Sequence, residues 1–299
     1  VSTLTERLMP ATPERREERR VRRRATYEKP GFLTYGLLFA FFAGSAFPLW
    51  WSFVIGSRQS SDTNLVPPTI VPGPNFVENT LEVFATVPFL QALVNSLIIS
   101  TAITVSVVFF STLAGYSFAK LRFRGRNGLL VAVIATMAIP TQLGIIPLFM
   151  LMADWHWIGT LQAVIVPGMV TAFGVFFMRQ YLVDVIPDEL IEAARMDGAS
   201  MWGTFWHVAV PAARPAMAVL ALFSFMAAWT DFLWPLLVLG PTNPSVQTAL
   251  AALSASGGQT PDNSMVLTGA VLSVVPLLIL FIVAGRQLIA GIMQGAVKG

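Results

Sequence analysis

Long apolar runs separated by short polar breaks dominate the chain. Stretches free of Asp, Glu, Lys and Arg cover 30–57, 83–119, 127–153, 155–178, 232–261 and 263–285. A bilayer core needs about 20 apolar residues per helix, so most of these runs can hold a span. The 232–261 run turns rich in Pro, Gly, Ser and Asn from Gly240 onward. It reads as the end of one span followed by a loop, the span starting near Pro215 and tolerating Asp231. Six spans are predicted, at roughly 32–55, 89–118, 128–152, 158–181, 215–239 and 264–285. No segment alternates polarity as barrel strands do. Only helices satisfy every backbone group inside such runs. The predicted fold class is an all-α polytopic membrane protein.

Composition agrees. The 299 residues are 55% hydrophobic and 12% charged, where a soluble domain carries about a quarter charged residues. The placement of charge adds an orientation. Basic residues crowd the tail before Pro30, the 120–126 loop (Lys120, Arg122, Arg124, Arg126), and Arg179, Arg195, Arg214 and Arg286. Only Arg58 falls on the other side. The positive-inside rule then puts both termini in the cytoplasm, and an even span count agrees. The tail, 1–30, reads as a solvated extension that fixes topology, with anionic-lipid contact as the alternative. It lacks the interleaved aromatics that nucleic-acid binding would use. The first apolar run is long enough to stay in the membrane, and no signal cleavage site follows it. With no cysteine, disulfides and thiolate metal sites are excluded. His156 and His207 are expected on opposite membrane sides, which disfavours a histidine metal pair.

Prolines 140, 167 and 276 sit near span centres. Each removes a helix hydrogen bond and invites a kink, and interrupted helices often line transport sites. Residues 56–88 and 240–263 are the expected external segments, the first with little regular structure before Val77.

A polar island at 183–211 stands between two apolar runs. Pro187, then Asp188 and Glu189, open a short helix, which Arg195 and Gly198 close. Acid first, base last and glycine after the end match the helix dipole and a left-handed cap. Ser200 can cap a second helix carrying Met201, Trp202, Phe205, Trp206 and Val208, whose apolar residues need a partner. An interfacial anchor is the bland alternative.

Within this island Glu192, Ala193, Ala194, Gly198 and Pro211 stand at the spacing of the EAA loop, the glycine six and the proline nineteen residues after the glutamate. The chain thereby resembles the membrane permease subunits of ATP-binding cassette importers. Val208 and Val210 stand where that family usually has Ile and Leu. The stretch Trp229-Thr-Asp-Phe-Leu-Trp-Pro235 is similar to one of sugar-importer permeases, with Thr230 replacing the usual Asn. Asn95-Ser96 and the terminus from Gly291 to Gly299 resemble the maltose-type, MalG-like class. The resemblance covers about 80–299.

It implies a type I (MetI-like) permease fold, with a core at about 80–290 inside a permease domain 31–299. The implied setting is a bacterial inner membrane. Implied partners are a second homologous permease, two ATP-binding subunits, an extracytoplasmic solute-binding protein and membrane lipid. The EAA loop would dock on an ATPase subunit through Glu192, Ala193, Ala194, Asp197 and Gly198. No cofactor belongs to this chain; ATP and Mg serve the partner. None of Lys29, Lys120 and Lys298 precedes Ser or Thr, so the usual phosphate loop is absent. Carbohydrate is the implied solute, with glycerol 3-phosphate as a rival. An ion-coupled transporter would carry carboxylates on several spans, whereas Asp231 alone lies well inside one. A pure scaffold would need neither polar span positions nor the EAA loop.

At about 100° per residue, Ser224, Ala227, Asp231 and Trp234 share one face of span five, with Trp229 roughly opposite. Carboxylates accept hydrogen bonds from sugar hydroxyls, and aromatic rings pack on pyranose faces. That face is the expected solute path, with Gln142 of span three as a further candidate.

Overall fold

The computed structural model describes residues 31–61, 70–258 and 262–296, and only the backbone for 284 and 286–296. The basic tail, Pro67, Pro68 and the side chains of the C-terminal stretch from Gly291 lie outside the described residues. Every regular element among the described residues is helical. Two compact units divide the chain, Val1–Trp51 and Ser52–Gly299. Helix α1, Phe32–Gly56, begins in the first and ends in the second. In the first unit Phe47 stacks on Trp51, rings 5.9 Å apart.

The second unit holds α2 (Phe76–Thr86), α3 (Phe89–Lys120), α4 (Arg126–Thr136), α5 (Ile145–Asp154), α6 (Gln162–Gly168), α7 (Ala172–Val185), α8 (Asp188–Met196), α9 (Met201–Thr204), α10 (Val210–Thr230), α11 (Leu233–Val238), α12 (Val246–Ser256) and α13 (Asn263–Ala296). Among the described residues five helical stretches are long and apolar enough to cross a membrane, and six if α4 and the Thr141–Asp154 stretch, bent by 89° from each other, are counted as one broken span.

Helix α3 is the hub, packed against α7 and α10. Its buried stripe runs through Ala92, Ser96, Ser100, Ile103, Val107, Ser111 and Gly115, a near-regular four-residue step. Most of these residues are small, which lets backbones approach where lipid removes any hydrophobic drive for association. At Gly115 a methyl group would lie 2.8 Å from the Arg179 backbone nitrogen and the Met178 Cβ. A second core forms around Trp229, with Val83, Phe89, Phe225, Val246 and Leu253. Trp229 stacks on Phe225 at 5.7 Å and donates to the Ser273 carbonyl at 3.2 Å. Its side of α10 thus faces a neighbouring helix.

The proline positions behave differently from one another. Span three is not a kinked helix: α4 stops at Thr136, and Pro140 opens a 3₁₀ turn, Thr141–Gly144, before α5. Proline lacks an N–H and disfavours helix in the residue before it. Span four is interrupted at Met169–Thr171, just after Pro167, and Thr171 restarts it by accepting from the Gly174 N–H at 3.1 Å. Around Pro276, α13 stays helical.

Span five departs most from expectation. It does not begin near Pro215. Helix α9 runs through a π-turn, Phe205–Ala209, into α10, giving one continuous stretch, Met201–Thr230. The Val210 N–H reaches back five residues to the Phe205 carbonyl. This wider turn accommodates Pro211, which has no N–H to give and would crowd the carbonyl four residues back. At the other end the helix breaks before Val238, because Asp231 is extended (φ −66°, ψ 126°) and α11 starts afresh.

The 240–263 segment also contains a helix, α12. Ser245 caps it, and Val246, Ala249 and Leu253 bury one face. Asn95 and Ser96 of α3 hold its start: Asn95 Nδ2 donates to the Pro244 carbonyl at 3.0 Å, and Ser96 Oγ accepts from the Val246 N–H at 2.8 Å.

Candidate functional site

Two sites lie at opposite ends of the Met201–Thr230 helix. At its start is a corner built by α8 and α9. Pro187 is extended, and Asp188 and Glu189 occupy the first turn of α8. At the end, Gly198 adopts φ +80°. The Gly198 N–H donates to the Arg195 carbonyl at 3.0 Å, and the Ala199 N–H to the Ala194 carbonyl at 2.9 Å. These two bonds make a Schellman cap, which requires a left-handed residue at that position. Ser200 then caps α9, its Oγ accepting from the Gly203 N–H at 3.0 Å.

The corner is anchored from behind. Ile191 and Phe205 are buried, and the Phe205 ring lies 5.7 Å from that of Tyr116 on α3. Lys120, the last residue of α3, donates to Asp188 Oδ1 at 2.8 Å. That hydrogen bond and the Lys120 charge, helped by Arg122 and Arg126, hold the Asp188 carboxyl below its ordinary value. Outward, Glu192, Ala193, Asp197 and Gly198 are exposed and Ala194 is half-buried. Met196 is 88% and Met201 68% exposed. Flexible methionine side chains suit adaptable contact surfaces.

At the far end, three interrupted helices meet around an open cavity of about 580 Å³. Thr141 comes from the break after Pro140, Gly168 and Thr171 from the break in span four, and Thr230 and Asp231 from the break in span five. Ser224, Ala227, Ala228 and Leu220 supply a wall from α10, and Ile103 and Val107 one from α3. Backbone N–H groups of Trp234 and Phe232 lie close to the Asp231 carboxyl.

Of the path candidates, the structure brings together Ser224, Ala227 and Asp231. Trp234 leaves that face, because the helix whose register would place it there ends at Thr230. Its indole N–H instead donates to the Ala163 carbonyl at 3.0 Å, bracing α6. Gln142 is exposed and does not line the cavity. The 3₁₀ turn holds about three residues per turn, so Gln142 points away from the side on which Thr141 lies. The cavity residues Thr141, Thr171 and Phe173 were not among the sequence candidates. Their signal was proximity to the Pro140 and Pro167 breaks.

Residues 108–292 match the family described as binding-protein-dependent transport system inner membrane component. AraQ of Halalkalibacterium halodurans, an arabinooligosaccharides transport system permease protein, is 38% identical over 206 residues, 69% of this chain and 73% of the relative. UgpE of Yersinia pestis, an sn-glycerol-3-phosphate transport system permease protein, is 30% identical over 258 residues, covering 83% and 90%. LacG of Rhizobium radiobacter, a lactose transport system permease protein, is 31% identical over 269 residues, covering 90% and 97%. Among solved structures, a bacterial ABC transporter involved in alginate import aligns with a TM-score of 0.73 at 20% identity, over 93% of this chain and 99% of that one. The overall fold thus recurs in a solved importer structure, and the chain belongs to the family of binding-protein-dependent transport system inner membrane components.

Proposed function

We propose that this chain is one of two different permease subunits of a bacterial carbohydrate importer, and that its α8–α9 corner docks on a separate ATP-hydrolysing subunit. The observation that carries the reading is the corner itself. Its inner side is tied to α3 and the core through Asp188, Ile191 and Phe205, while Glu192, Ala193, Met196 and Asp197 are exposed. An exposed apolar and acidic surface on a rigid support suits a protein partner. The continuous helix Met201–Thr230 leads from that surface to the cavity, which is read as this subunit's share of the solute path. ATP and Mg belong to the docked subunit, solute capture to an extracytoplasmic binding protein, and both termini of this chain to the cytoplasm. A carbohydrate solute follows from the names of AraQ and LacG.

Glu192→Lys tests the dock. Glu192 is exposed, so the variant should insert and fold normally. The expected result is loss of copurifying ATPase subunit and of uptake. Full uptake by Glu192→Lys would remove this residue from the interface. Ligand-stimulated ATPase of the whole importer, measured over a panel of sugars, tests the solute class.

A further inference from the structure

We infer that the cavity is a charge filter, set by Asp231, that passes neutral polyhydroxylated solutes and excludes anionic ones. The inference rests on the reading of the cavity as solute path. Asp231 is the one ionisable residue among those lining it, and no Lys, Arg or His joins it. Recognition of a phosphate or a uronate relies on Arg or Lys forks, or on a bound cation. Nothing of that kind lines this cavity. What does line it suits hydroxyl groups. The Ser224 and Thr141 hydroxyls make no side-chain hydrogen bond among the described residues, so both remain available to donate or accept. An ionised carboxylate is an acceptor only and takes hydrogen bonds from hydroxyls of a neutral sugar. Phe173 adds an apolar ring face. An anion entering the same space meets the Asp231 charge, offset only by the Phe232 and Trp234 backbone N–H groups and with no cationic side chain beside it.

The sequence supplies a clean probe, because it contains no cysteine. Ala227 lines the cavity one helical turn before Asp231, which puts the two side chains about 5–6 Å apart. Ala227→Cys in the assembled importer, reconstituted in liposomes, can be treated with three methanethiosulfonates of similar size: cationic trimethylammonium-ethyl, anionic sulfonatoethyl, and neutral. Mass spectrometry of this chain alone reads the extent at position 227, and rates are normalised to those with a free thiol. The cationic reagent should react at least about threefold faster than the anionic one, as a unit negative charge at about 6 Å gives in water of physiological ionic strength. Adding Asp231→Asn should bring the ratio to about one. Equal normalised rates in Ala227→Cys with Asp231 intact would overturn the filter while leaving the water-filled path in place. No reaction with any reagent, the neutral one included, would overturn the path reading and the filter with it.

Discussion

Replacing Gly198 isolates backbone conformation from every other property of the corner. A methyl group built on Gly198 would meet nothing within 4 Å, so a side chain adds no clash with the rest of the protein. The cost lies in φ alone, at +80°. For an L-residue the left-handed region costs about 1–2 kcal/mol, more when the side chain is β-branched. If the corner relaxes, the Ala199–Ala194 and Gly198–Arg195 bonds open and α8 loses its fixed angle to α9. Since 1.4 kcal/mol is tenfold in an equilibrium constant, Gly198→Ala should weaken docking of the ATPase subunit by up to about 5–30-fold. Gly198→Val should weaken it further. Gly198→Asn should recover most of the affinity, because Asn tolerates the left-handed region. The assay is titration of purified ATPase subunit onto the reconstituted permease pair, with stimulated ATP hydrolysis as readout. Wild-type affinity in Gly198→Val would show that the left-handed corner has no part in docking.

Gly115→Leu should force α3 and α7 apart, because even a methyl there lies 2.8 Å from backbone; a loss of at least about 1–3 kcal/mol should appear as a lower melting temperature in detergent. Trp229→Phe removes the donor to the Ser273 carbonyl and leaves a cavity in the second core, and should also melt earlier, by a smaller margin than Gly115→Leu. The folded Asp188 carboxyl titrates below its ordinary value, so the contribution of the Lys120 bridge is full above about pH 4 and is lost only as pH falls through that depressed value. The protection that this pair gives the start of α8 against hydrogen exchange should therefore be constant between about pH 6 and 8, and Asp188→Asn should reduce it at any neutral pH. Reporter fusions at Gly73 and Ser256 should register outside and those at Gly125 and Gly203 inside; an external signal at Gly203 would place the corner on the wrong side for docking.

The corner was legible because its signals are local. Acid at one end of a short segment, Arg195 and Gly198 at the other, and Ser200 after it each act within a turn, and the geometry follows them residue by residue. The spans were legible as charge-free runs. Their ends and interruptions were less so, because an apolar run does not say where a helix stops inside it. Pro215 marks the expected start of span five, yet the helix already runs from Met201, with a π-turn ahead of Pro211. Asp231 sits beside an apolar run and reads there as a tolerated residue, whereas the chain is extended at Asp231 and a new helix starts at Leu233. Helix α12 was hidden by the Pro, Gly and Ser around it, even though Ser245 and the 246, 249, 253 spacing announce it. Of the cavity only the wall with Ser224, Ala227 and Asp231 is legible in the sequence, since Thr141 and Thr171 are brought to Asp231 by packing across 90 residues of chain.

The unbroken run from Met201 to Thr230 makes the chain a lever. Thirty residues at 1.5 Å each give a rod about 45 Å long. A tilt of about 5° at one end of such a rod displaces the other by about 4 Å, more than the width of a water molecule. Asp231 is attached directly to the far tip, so a small rotation at the Gly198 corner is enough to shift the carboxylate by about 4 Å against the cavity walls that come from other helices.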